Sequence, residues 1–310
     1  MICPGEALQL GEFIMKKLLL GSIALVALMA GPAMAADLKA PVYKAPPPAP
    51  AVYTWTGFYI GANGGYAWRN RSVSFNPADS ATAGVFNVVD DSTVPNVNFD
   101  TRGGFGGFQL GYNWQFDPRW VAGLETDLDF GDIKGSGTSS NVIPVGPFGS
   151  TSAIAAASEK IKWLGTVRGR LGVLVTNEVL LYGTGGFAYG RVEQSATYTI
   201  NSGALSVTSP PFSFVCVAGA PCFVGSSSRV QSGWTAGGGA EWALRYGLTF
   251  KAEYLYVNLR DNSFPMSAIA TTVGGPTPSS FRVGFSNSDF HSVRVGLNYR
   301  FGYGPVVANY

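Results

Sequence analysis

Histidine is almost missing from this chain: His291 is the one imidazole in 310 residues. General acid–base and nucleophilic catalysis usually recruit that side chain, so little points to an enzyme and nothing to a His-rich metal site. Charge is scarce too, at 13% of residues, and balanced, with 21 basic against 19 acidic side chains for a net +2. So neutral a chain has no electrostatic case for nucleic acid. The longest apolar run, residues 18–30, is shorter than the ~20 residues a spanning helix needs. Glycine (41) and aromatics (13%) are abundant instead. That composition fits one large β domain better than an ordinary soluble enzyme.

The cysteines, three in all, divide by position. Met15-Lys16-Lys17, the apolar run 18–30 and Ala33-Met34-Ala35 have the layout of a secretory signal peptide over 15–35, cleaved after Ala35. Translation is then expected to begin at Met15, with residues 1–14 a mis-assigned extension. Cys3 falls in the removed part. Cys216 and Cys222 remain, flanking VAGAP in a loop, and are expected to pair in an oxidising compartment. They are too few for a Cys-only zinc site, and neither a metal nor a cofactor is called for. Residues 36–54 are rich in Pro and Ala and read as an extended periplasmic linker. The folded domain is expected over 55–301, with a short tail at 302–310.

Within 55–301, period-2 alternation recurs in eight segments. The stretch 107–130 shows it on both sides of Asp117-Pro118-Arg119: Phe108, Leu110, Tyr112 and Trp114, then Trp120, Ala122, Leu124, Leu128 and Phe130 share one face. Gln109, Asn113, Glu125, Asp127 and Asp129 share the other. In 159–175, Ile161, Trp163, Val167 and Leu171 oppose Lys162, Thr166, Arg168 and Arg170. Glu241, Lys251, Glu253 and Arg294 take the polar face of the last three segments. The segment 179–192 is apolar or glycine on both faces, and its orientation stays open. Connections are tight at 117–119, 177–178 and 245–247 and long at about 70–102, 131–158, 193–228 and 260–288. Strict short–long alternation sets all turns at one end of a sheet and all loops at the other.

A soluble sandwich would bury the apolar face. Here that face is dense in aromatics near strand ends, while the polar face mixes glycine with charges of both signs. Those features describe a closed barrel with lipid outside and a polar interior, because in lipid every backbone group must be paired within the protein. Cations on the lipid face near mid-membrane would each cost roughly 2–4 kcal/mol. Turned inward, Glu125, Asp127, Arg168, Arg170, Glu241, Lys251, Glu253 and Arg294 can pair with one another. Gly61, Gly65, Gly107, Gly111 and Gly123 leave room for them. Eight strands enclose an interior just wide enough for side chains to fill. The fold expected is therefore an all-β, transmembrane, antiparallel up-and-down barrel of eight strands.

WTGFYIGANGGYAW, FQLGYNWQF, WVAGLETDLDF, LLYGTGGFAYG, KAEYLYVNL and VRVGLNYRF resemble the outer-membrane immunogenic proteins, surface antigens of Gram-negative bacteria with an outer membrane protein A-like eight-stranded barrel. The resemblance covers about residues 15 to 301. It implies an integral protein of the cell outer membrane that supports envelope integrity and presents long loops; some members are described as haem-binding or weakly pore-forming. Barrels of this kind usually end on the last strand's aromatic, as Phe301 would, yet GYGPVVANY follows, ending on Tyr310.

Rival chemistries fare less well. Two residues after His291 stands Val293, where lipid A deacylases carry Ser. His291 or loop tyrosines such as Tyr198 could ligate haem, but a rim His and scattered Tyr are ordinary surface residues. The pattern Gly183-Thr184-Gly185 with Ala188 precedes no helix, so it is not a dinucleotide site. A diffusion pore conflicts with eight strands unless the barrel forms oligomers or its interior rearranges, and it stays the main alternative, beside haem binding. The expected partners are outer-membrane lipid, lipopolysaccharide and a loop ligand the sequence does not name. A monomer is expected.

Overall fold

The computed structural model describes residues 53–78, 96–144, 150–201, 205–209, 212–269, 280–286 and 289–302. The expected extension, signal peptide and most of the expected linker (residues 1–52), and the tail beyond 302, lie outside the described residues. Strands follow in chain order: β1 Gly57–Pro77, β2 Val97–Gln115, β3 Trp120–Pro144, β4 Ser150–Thr176, β5 Val179–Ile200, β6 Leu205–Ser209, β7 Phe212–Cys216, β8 Pro221–Ala243, β9 Leu248–Leu259, β10 Asn262–Ala268, β11 Ser280–Ser286 and β12 Asp289–Arg300. β1, β2, β3, β4, β5, β8, β9 and β12 pair antiparallel in that order, and β12 returns to β1 from Tyr59↔Arg300 to Trp68↔His291. The ring closes without an edge, which is what lipid demands of a sheet.

The long connections expected from the sequence are largely strand. β4 runs for 27 residues and β3 for 25, where a membrane crossing takes about 9–11. At about 3.4 Å per residue and a tilt of about 40°, β4 rises about 70 Å, against an apolar band of about 25 Å. β9 and β12 are shorter, 12 residues each. Above them the β10–β11 hairpin takes their place in the wall. β11 pairs with the far half of β1 (Ser72↔Ser286 to Pro77↔Phe281), and β10 meets β8 at Ser267↔Val224. A second ring thus stands on the first and shares six of its strands. The small β6–β7 hairpin ends at Cys216, which is disulfide-bonded to Cys222 at the start of β8.

The interior is layered along the barrel axis, not polar throughout as the alternation implied. At the periplasmic end Trp55, Val121, Leu174, Leu180 and Tyr182 form an apolar plug. Trp55 lies two residues before the sheet; its Nε1 donates to the Asn177 carbonyl at 3.2 Å, stitching the chain's entry to the β4–β5 turn. The ionic belt follows. Next come Ala67, Ile133, Ile161, Leu164, Val192, Val257 and Phe290, a second apolar layer. A smaller polar layer and then a large apolar cluster, including Phe75, Tyr198, Phe223, Met266 and Phe281, fill the upper ring.

One bulge, on β4, resets the alternation. Between Ile161 and Trp163 the register of β4 slips, so Ile161 is buried inside and Lys162 emerges outside, the reverse of the sequence reading. One extra residue inverts every face beyond it. A matching irregularity lies between Phe130 and Ile133 on β3. The undecided strand β5 turns Leu180, Tyr182, Ala188 and Val192 inward and Leu181, Phe187 and Arg191 outward.

Candidate functional site: the ionic belt and the outer wall

All eight charged residues singled out from the sequence meet in one belt. The register puts Glu125 beside Arg168, Glu241 beside Lys251 and Glu253 beside Arg294. Across the lumen the contacts go further than neighbouring strands. Lys251 Nζ donates to both oxygens of Glu125, at 2.8 and 2.9 Å, from the opposite side of the ring. Arg168 donates to Asp127 at 2.9 Å, to Glu253 at 3.0 Å and to Glu125. Arg294 reaches Glu253 at 2.6 Å, Asp127 at 3.0 Å and Asp129 at 3.3 Å. Arg170 donates to Glu241 at 2.5 Å and lies 4.1 Å over the Tyr182 ring. Tyr59 and Tyr182 donate to Glu125 and Glu253 at 2.7 and 3.0 Å. Charge-assisted bonding is what lets buried charges be tolerated, and most of the belt has it, although Asp127 Oδ1, Asp129 Oδ1 and Arg170 Nε have no hydrogen-bond partner among the described residues.

Glycine makes this packing possible. A Cβ on Gly107 would run into the Asp129 carboxylate, and one on Gly123 would lie 2.6 Å from Asn113 Oδ1 and 3.1 Å from Arg170 Cγ. Opposite Arg168, a Cβ on Gly186 would approach the arginine's Cα to 2.7 Å. Gly123 and Gly186 face the arginines, the longest side chains of the belt.

Asp129, Tyr59, Tyr182, Asn298 and Gln109 also join the belt. All but Tyr182, whose segment had no assigned face, stood on the polar face in the sequence, but their partners come from distant strands and no spacing announces them. A second polar layer escaped the sequence reading altogether. Glu159 accepts from Arg71 at 2.6 Å, from Gln194 at 2.8 Å and from Arg69. Its members lay at the margins of segments read as loops.

The outer surface divides sharply. Leu124 is 67% exposed and Phe108 68%, and they belong to a continuous apolar band. Its lower edge carries Trp114, Phe116, Trp120, Trp242 and Phe301, its upper edge Trp68, Phe130, Trp163, Tyr189 and Trp234. Such paired girdles mark the two interfaces of a bilayer. His291 sits at the upper edge, its Nδ1 2.6 Å from the Tyr254 hydroxyl and its ring stacked on Trp68. Above the band the wall is Ser, Thr and charge. There Asp132 holds Lys134 at 2.6 Å and Lys160 at 2.8 Å, and their hydrogen bonds lower its carboxyl to about 2 while raising the Lys160 ammonium. Among the described residues no cluster of His, Cys, Asp and Glu could hold a metal ion.

The chain is similar to several known proteins. The 31 kDa outer-membrane immunogenic protein of Brucella melitensis is 36% identical over 296 residues, covering 93% of this chain and all of that one. The 22 kDa outer membrane protein of Rhizobium leguminosarum bv. viciae is 28% identical over 250 residues, 80% of this chain and 79% of that one. Among solved structures, the outer membrane protein OprG of Pseudomonas aeruginosa aligns over 80% of this chain and 98% of its own at 13% identity, with a TM-score of 0.42. A family model described as an outer membrane protein beta-barrel domain matches residues 23–301. The chain belongs to the outer membrane protein beta-barrel domain family and is an integral protein of the outer membrane.

Proposed function

We propose that this protein is a non-enzymatic, non-conducting surface antigen: a rigid barrel that ties the envelope together and carries recognition on its tall extracellular wall and loops. The observation that carries the reading is the filling of the interior. From Trp55 upward, each level is closed by packed side chains, two of them by ionic networks whose members are bonded across the lumen. Such a core is suited to holding a shape. The immunogenic relatives fit a protein displayed at the cell surface. Against catalysis stands the setting of His291, which is held between Trp68 and Tyr254 on the outer wall.

Planar-bilayer recording of the folded monomer tests the closed interior. No unitary conductance is expected; reproducible steps from a pure monomer would make the protein a pore and sink the reading. Surface display is checked in the same strain by labelling intact cells with antibody raised against the upper ring, which is expected to stain them without permeabilisation.

A further inference from the structure

Above the upper aromatic girdle the outer wall is not uniform. Proceeding from β2 to β5, polar residues next to the apolar band are cationic: Arg102, Lys134, Lys160, Lys162 and Arg191. Arg102 pairs in register with Lys134, and Lys134 with Lys160, so the first three lie side by side on adjacent strands. Three acids share this wall, Asp100, Asp132 and Glu193, and two of them bridge lysines: Asp132 to Lys134 and Lys160, Glu193 to Lys162 at 3.3 Å. The wall keeps a positive excess, with ammonium heads held in place yet still exposed. At the corresponding border on β12 and β1 stand Asp289, His291 and Asn70, without a lysine or arginine.

The same wall is concave. An open hollow of about 700 Å³ crosses β3, β4, β5 and β8, lined mainly by serines such as Ser136, Ser158, Ser195 and Ser226, with Lys134, Lys160 and the Lys162-paired Glu193 at its lower edge. Both β-bulges lie just beneath it, where an extra residue bends a strand. A second hollow of about 300 Å³, with Thr138 and Thr197, continues it upward. From bottom to top, one face therefore offers an apolar aromatic surface, a row of cations and a groove of small hydroxyl groups.

We propose that this face binds a phosphorylated glycolipid of the outer leaflet, of the lipid A type. Its acyl chains would lie on the apolar band beside Phe130 and Trp163, its phosphates on Lys134, Lys160, Lys162 and Arg191, and its sugars in the serine-lined groove. Ammonium and guanidinium groups at a bilayer border recognise phosphate by charge and hydrogen bonding, and a phospholipid has no saccharide to fill the hollow. The inference rests on the membrane placement of the barrel, not on its being closed or antigenic, so it stands apart from the conductance test.

The experiment is native mass spectrometry of the full mature protein, folded in detergent and titrated with bisphosphorylated lipid A. A variant carrying Lys134→Gln, Lys160→Gln and Arg191→Gln is compared with one carrying Arg119→Gln and Arg245→Gln in the periplasmic turns. Heat-dependent gel mobility checks that each is folded. Retention is expected to weaken by at least about tenfold in the first variant and to be unchanged in the second. Dephosphorylated lipid A and phosphatidylglycerol are expected to bind the wild type more weakly than bisphosphorylated lipid A. Equal retention by both variants, or equal binding of the dephosphorylated lipid or of phosphatidylglycerol, would overturn the proposal. If the triple variant fails to fold, the wild type decides by salt: binding must fall between about 0.05 and 0.5 M NaCl, and salt-independent binding would refute a phosphate site.

Discussion

Arg168→Met keeps the length of the side chain and removes its charge from the middle of the ionic belt. In the wild type this guanidinium bonds Glu125, Asp127, Glu253 and, through Nε, Thr166 at 2.8 Å. The variant leaves three buried carboxylates each short of one cation. Lys251 still reaches Glu125 and Arg294 still reaches Asp127 and Glu253, so the loss is of one partner in a shared network, not total isolation. Removing one member of a buried pair costs about 3–5 kcal/mol. With a urea dependence of about 2 kcal/mol per molar, the unfolding midpoint should fall by about 2 M. The assay is urea titration of the protein in lipid vesicles followed by tryptophan fluorescence, with the gel shift as a second probe. Pairing the variant with Glu253→Gln should cost less than the sum of the singles, since each already breaks the same bond. A midpoint shift below about 0.5 M, worth only about 1 kcal/mol, would refute the reasoning: the belt would then behave like solvent-exposed pairs.

Leu124→Arg tests which face meets lipid: between Trp120 and Phe130 it should cost about 2–4 kcal/mol in vesicles, whereas at a water-exposed site of equal accessibility it would stay within about 0.5 kcal/mol. The same urea titration reads the difference, and a neutral outcome would mean that the sheet is inside out. For Asp132, the folded carboxyl sits near 2 because Lys134 and Lys160 donate to it. Its value is below that of the unfolded chain, so any stabilisation is present above the ordinary aspartate range and disappears as pH falls toward 2. NMR titration of a variant with Lys134→Gln and Lys160→Gln should return that carboxyl to the ordinary range; no change would show that the lysines are not its partners.

Two features of the sequence were enough to orient the membrane zone. Along 107–130 the lipid side of the strands takes no charged residue, because a charge there is too costly, and the lumen side takes Gln109, Glu125, Asp127 and Asp129. The solvent outside and the crowding inside act on every second residue, so the alternation is local and legible. The spacing of the tight turns likewise follows from strands that need only a hydrogen-bonded reversal, such as Asn177-Glu178.

Above the membrane that constraint lapses. GSGTSS on β3 and STSAIAAAS on β4 have the composition of loops, yet Ala153, Ala155 and Ala157 face a packed interior and Ser136 and Thr138 face water. Small residues on both sides leave no contrast to read, and only pairing with a partner strand makes such a segment a strand. The bulge at Ile161 shows the same limit at one residue: alternation predicts Lys162 inside, and the register of β3 and β5 puts it outside. Thus the sequence by itself determined the eight crossings and, outside 179–192, most of their inward and outward faces, since each rests on neighbours in the chain. The tertiary structure alone decided the second ring, the layered interior and the contact of Lys251 with Glu125, because these join residues more than a hundred positions apart that meet only when the sheet closes.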